Sequence, residues 1–97
     1  MKLEKLAELI IETLEDNKAT NIQTLDVRDL TSITDLMIIA SGTSVKQVTS
    51  IAEMLIEKVK KNKIQPHGSE GMQYGEWVLV DLGDIIVHIM HPTTRAH

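Results

Sequence analysis

The sequence predicts one small α/β domain, a mixed β-sheet flanked by helices in two or three layers, and three observations lead there. Residues 3–16 and 44–61 repeat apolar side chains at spacings of three and four, the period of a helix with one buried face. Residues 77–90 hold two runs rich in Val, Ile and Leu on either side of Gly83-Asp84, a dipeptide suited to a tight hairpin turn. Between these lies 35–40, where Leu36, Met37, Ile38 and Ile39 are consecutive. A run without alternation suggests a strand buried on both faces, hence the middle of the sheet.

In chain order, Leu3, Leu6, Ala7, Ile10 and Leu14 line the buried face of the first helix, with Glu4, Glu8, Glu12 and Glu15 outside. A solvated acidic face is the simpler reading of those glutamates, an acidic docking surface the second. Residues 22–27 form a strand ending at Arg28-Asp29. After the 35–40 strand, Ser41-Gly42-Thr43-Ser44 turns the chain into the second helix. Ser44 and Gln47 fit a capping box there, and Val45, Val48, Ala52, Leu55 and Val59 form the apolar stripe. Lys58, Lys60, Lys61 and Lys63 suit the negative end of that helix's dipole, more simply than a dedicated basic patch. Residues 66–75 read as a loop or irregular edge, and Thr93 or Thr94 as the cap of a helix that is not completed.

Counting outward from a two-residue turn at Gly83-Asp84 pairs Leu82 with Ile85, Val80 with Val87 and Val78 with Ile89, a wholly apolar face that has to be core. The other face carries Trp77 across from Met90, Leu79 from His88, and Asp81 from Ile86. Antiparallel strands with one solvated side show polar residues there. This second face therefore calls for a cover, from the chain itself or from a partner. Trp and Met are enriched in protein interfaces, and Trp dominates their hot spots. A core tryptophan, the simpler reading, conflicts with the position of Trp77 opposite the aliphatic side. His88 is expected to be a polar member of this exposed face.

Composition narrows the function classes. Of 97 residues, 42% are hydrophobic and 25% charged, as in globular domains and unlike disordered chains. Aromatic residues make up only 2%, so the core has to be aliphatic. The absence of Cys removes disulfides, thiol nucleophiles and thiolate metal sites. No apolar run approaches the roughly 18 residues of a membrane span, and residues 1–16 carry acidic side chains unlike a targeting peptide. A soluble, cytoplasmic protein without a membrane partner is expected. The net charge of −4 disfavours direct binding to nucleic acid phosphates and favours a basic protein partner.

Catalytic constellations are incomplete. Gly42-Thr43-Ser44 places backbone N–H groups at a helix start, where a phosphate binds, but it lacks the spacing and lysine of a P-loop. A tight strand-to-helix turn explains the glycine better. Asp81 and Asp84 come nearest to a pair of metal-binding carboxylates, yet one lies on a strand and the other in a turn. His88 and His91, three apart on an extended strand, point to opposite faces, and His67 falls in a loop. Neither a metal nor a cofactor is expected.

These residues together resemble the ribosomal silencing factor family, also called the Iojap family. The resemblance lies in Asp35-Leu36-Met37-Ile38-Ile39-Ala40-Ser41-Gly42-Thr43-Ser44 with Gln47-Val48 and Ile51-Ala52, in Glu70-Gly71, in Trp77-Val78-Leu79-Val80-Asp81-Leu82-Gly83-Asp84-Ile85-Ile86-Val87-His88-Ile89, and in Arg95. It spans nearly the whole chain. It implies a topology similar to that of nucleotidyltransferases without their catalytic carboxylates, and binding in place of catalysis. Family members bind ribosomal protein L-fourteen on the intersubunit face of the large ribosomal subunit and sterically block joining of the small one, lowering translation when nutrients are scarce.

On that basis Trp77, Leu79, Asp81, Asp84, His88 and Met90, flanked by Glu70, are expected to form the partner-binding face, the apolar members supplying affinity and Asp81 and Asp84 steering. Leu36 and Met90 depart from the family, standing where Tyr or Phe is common. Residues 1–97 are expected to form a single domain lacking the family's last short helix, which would cover part of the sheet. The competing expectations are a nucleotidyltransferase-like enzyme using Ser44 and Asp81 with a divalent metal, and a homodimer burying the Trp77 face against itself.

Overall fold

The computed structural model describes residues 1–96. Its elements run α1 (Leu3–Asp16), β1 (Thr20–Asp26), β2 (Leu36–Ser41), α2 (Val45–Lys61), β3 (Gly68–Glu70), β4 (Trp77–Asp81), β5 (Ile85–Met90) and α3 (Pro92–Arg95).

The long helices form where the apolar period places them. α1 buries Leu6, Ile10 and Leu14, and its four glutamates are exposed. α2 buries Val48, Ile51, Ala52, Leu55 and Val59. Val45, expected on that stripe, is 45% exposed. It sits on the first turn, where it lines a surface hollow with Glu76 and His91 instead of meeting the sheet. The cap is Ser44, whose Oγ accepts from the Gln47 backbone N–H at 3.1 Å. The reciprocal arm of the capping box is displaced by one residue, because Gln47 Oε1 accepts from the backbone N–H and hydroxyl of Thr43. Ser44→Ala is expected to cost about 1 kcal/mol, seen as a lower urea midpoint with an unchanged slope.

All five strands join one sheet in the order β1-β2-β5-β4-β3. β5 pairs in parallel with β2, and every other pair is antiparallel. The sheet is mixed, and its middle strand is β5, not the 36–41 strand that the apolar run suggests. Both strands are apolar on two faces, so that pattern does not separate them; what decides is that β1 adds outside β2. The counted hairpin register holds, with Val78 opposite Ile89 and Val80 opposite Val87. The Leu82 N–H donates to the Ile85 carbonyl at 2.9 Å to close the turn, and Gly83 takes a φ of 87°, which glycine adopts without penalty. β3, inside the expected loop, is a three-residue edge strand.

α1 and α2 pack on one face, making two layers. Ile38, Ala40, Val78, Val80, Ile85, Val87 and Ile89 are fully buried against the helix stripes in a single aliphatic core. At about 1.5–3 kcal/mol for each fully buried large aliphatic side chain, this core is the main source of stability. α3 is one turn, and its cap is His91, whose Nδ1 accepts from the Thr93 N–H at 3.3 Å. Neither Thr93 nor Thr94 caps it, because Pro92 occupies the first helical position, which suits its fixed φ.

Candidate docking surface

With both long helices on one side, the opposite side of the sheet stays open. Register assigns its residues: Leu25 lies beside Met37, Met37 beside Ile86, Ile39 beside His88, His88 beside Leu79, Met90 beside Trp77, and Leu79 beside Glu70. The result is an apolar surface across four strands. Leu25 is 44% and Trp77 51% exposed, while Met37, Ile39, Leu79, Ile86 and Met90 are half-buried. A continuous apolar surface of this kind marks an interaction site. Its margins are polar. At one end, Arg95 Nη1 donates to Ser41 Oγ at 2.8 Å, and Ser41 is buried.

At the centre of this face is His88, covered by Trp77 from the end of the sheet. Trp77 lies diagonally across the ladder from His88, a position that a long side chain spans. Its Nε1–H donates to His88 Nδ1 at 3.0 Å, with ring centroids 5.9 Å apart and planes tilted by 43°. His88 is only 6% exposed, not the exposed polar residue that alternation suggests. The indole lies against it, and Leu79 and Ile39 are its neighbours on the two adjacent strands. Because an indole N–H only donates, Nδ1 is the unprotonated nitrogen and the proton of the neutral ring sits on Nε2. That Nε2 is buried without a hydrogen-bond partner. Burial pushes the His88 pKa below the usual 6.5, so the ring is neutral at pH 7.

The other expected site residues divide. Glu70 lines a shallow hollow with Gly71, Trp77 and Leu79. Asp81 points to the same face, where its Oδ1 accepts from the Gly83 N–H at 2.9 Å and stands 3.9 Å from His67 Nδ1. Asp84 is not on this face. It is exposed in the turn, and its carbonyl accepts from the Asp35 and Leu36 N–H groups at 3.0 and 3.1 Å, tying the hairpin to β2. Leu25, Met37 and Ile39 join the face unannounced, since the β2–β5 pairing brings Met37 and Ile39 there and the β1–β2 pairing adds Leu25; for the first two, the alternate members of the 36–39 run were the available signal.

Ser44 and Asp81 lie at opposite ends of the sheet. Ser44 follows the end of β2 beside Met90, whereas Asp81 is level with the start of β2 through Ile86 and Met37. Among the described residues no three His, Cys, Asp or Glu come close enough together to hold a metal ion. No helix among them is long and apolar enough to cross a membrane.

Fold and face define a small two-layer α/β domain that leaves one apolar sheet face bare, with Trp77 at one end of that face reaching toward its centre at His88. A family model described as ribosomal silencing factor during starvation matches residues 1–97, and the chain belongs to that family. The ribosomal silencing factor RsfS of Haemophilus influenzae is 47% identical over 90 residues, covering 93% of this chain and 88% of that protein. A crystal structure of a Chromobacterium violaceum protein matches with a TM-score of 0.97 at 43% identity, covering 100% of this chain and 81% of that one. A mouse relative, 29% identical over 91% of this chain and 40% of its own length, is named mitochondrial assembly of ribosomal large subunit protein 1.

Proposed function

We propose that this chain binds the large ribosomal subunit through ribosomal protein L-fourteen at the intersubunit face, and that its bulk there blocks joining of the small subunit under nutrient limitation. The observation that carries the proposal is the bare apolar sheet face in a member of a ribosomal silencing family. The name of the mouse relative points to the same particle. Trp77, Leu79, Met90, Met37 and Ile39 supply the apolar centre of the contact. Asp81 and Glu70 on this side of the sheet, with Asp84 at the turn, steer the chain toward a basic protein surface.

The test sediments the protein with isolated large and small ribosomal subunits and follows formation of joined ribosomes. Co-sedimentation with the large subunit alone is expected, with fewer joined ribosomes. Leu79→Glu puts a charge at the centre of the face without touching the helix-side core. Burying it unpaired is expected to weaken binding at least about tenfold. Wild-type affinity in that variant would exclude this face as the contact. A second copy seated on the same face would form an isologous dimer that competes with the ribosome; sedimentation at several protein concentrations, with and without large subunits, measures that competition.

A further inference from the structure

One hydrogen bond decides how the largest side chain of the docking face lies. The Trp77 indole donates to Nδ1 of a histidine that is almost wholly enclosed, while its direct cross-strand neighbour, Met90, offers no comparable anchor. The bond exists only while Nδ1 is unprotonated. A doubly protonated ring would turn one donor against the indole N–H and leave the other, at Nε2, in a place without an acceptor.

We propose that His88 is the positioning residue of the docking face: as the neutral ring protonated at Nε2 it holds Trp77 in its docking orientation, and a proton taken up at Nδ1 frees the indole and weakens docking in mild acid. The effect on docking rests on the ribosome-binding reading above, whereas the effect on Trp77 is a property of the free chain.

The groups that share this face leave the imidazolium without support. Asp81 on β4 is diagonal to His88, but its carboxylate lies toward the Gly83 N–H and His67, 2.9 and 3.9 Å from Oδ1, and makes no hydrogen bond to the His88 ring. Glu70 on β3 lies one strand further out, beside Leu79. Arg95 on α3 is engaged with Ser41 Oγ. β2 contributes Met37, Ile39 and Ser41, and β1 contributes Gln23 and Leu25, none of them ionisable. Among the described residues the His88 ring has no hydrogen-bond partner besides Trp77. Burial accordingly lowers its pKa from 6.5. For a histidine depressed in the folded state, the stabilisation is complete above the unfolded value and is lost as pH falls through the folded one. The anchor is therefore set at neutral pH and released on the acid side.

With a single tryptophan in the chain, emission excited to the red of the Tyr74 absorption reports on Trp77 alone. Titration of the free protein from about pH 8 to about pH 5 is expected to shift and quench the emission in one transition with its midpoint below 6.5. His88→Gln keeps an acceptor for the indole N–H but takes up no proton, so its emission is expected to match the wild type at neutral pH and stay flat. His88→Phe removes the acceptor and is expected to resemble the acid form throughout. A variant with His67, His91 and His97 all changed to Asn leaves His88 as the sole histidine, and there the transition is expected to persist.

Binding to isolated large ribosomal subunits is expected to weaken about fivefold more in the wild type than in His88→Gln between about pH 7.5 and about pH 5.5, the worth of one hydrogen bond. A transition that survives in His88→Gln, or vanishes in the triple Asn variant, overturns the assignment. Titrating emission with the same pH dependence of binding in both proteins overturns the link to docking. Absence of large-subunit binding by the wild type overturns the docking reading itself and leaves the emission test of the anchor standing.

Discussion

Replacing Gly71 by Ala is expected to lower the melting temperature by roughly 10 to 20 °C, equivalent to about 3 kcal/mol in a domain of this size. Gly71 has a φ of 87°, a left-handed conformation in which a Cβ costs about 1–2 kcal/mol. That Cβ would also stand 2.0 Å from the Trp77 carbonyl oxygen and 3.1 Å from its carbon. Both obstacles are backbone, so no side-chain rotation relieves them and the start of β4 has to move. Trp77 is the first residue of β4, and the damage therefore reaches the bare apolar face as well as the stability. Gly68→Ala is the control. Nothing lies within 4 Å of a Cβ built there, and its effect is expected to stay within about 0.5 kcal/mol. Thermal unfolding of the two variants side by side checks the account, and equal losses would contradict it.

The parts of this fold that were legible in the sequence are those set by local period. The hairpin register follows from alternation about Gly83-Asp84, and the helix stripes from spacings of three and four. Pairing between distant strands leaves no such mark. Leu36–Ser41 and Ile85–Met90 carry equivalent apolar patterns; β5 is central because β1 adds outside β2, and only the parallel pairing of β2 with β5 brings Met37 beside Ile86 and Ile39 beside His88. The site shows the same division. Alternation correctly put Trp77, Leu79, Asp81, His88 and Met90 on one face. It does not say that the indole reaches diagonally across the ladder to enclose His88, because that depends on side-chain direction. Asp84 left the face for a related reason: turn residues lie outside the period of two.

Trp77→Ala is expected to separate binding from folding: affinity for large ribosomal subunits falls about 30-fold or more, a hot-spot loss of about 2 kcal/mol, while stability stays within about 1 kcal/mol of the wild type. In the free chain the indole is 51% exposed and makes one partly buried hydrogen bond. Its removal opens His88 Nδ1 to water, which replaces the lost donor and offsets part of that loss. In a complex the exposed half of the ring would be buried, where a large aromatic surface contributes most. Leu25→Ala provides the comparison at the margin of the face. Leu25 is 44% exposed on the edge strand β1, and rim residues contribute little, so a loss of less than about threefold is expected. Equal losses from the two variants would move the centre of the contact away from the hairpin. Unfolding of Trp77→Ala in step with lost binding would instead make Trp77 a core residue, and the bare face would then need another anchor.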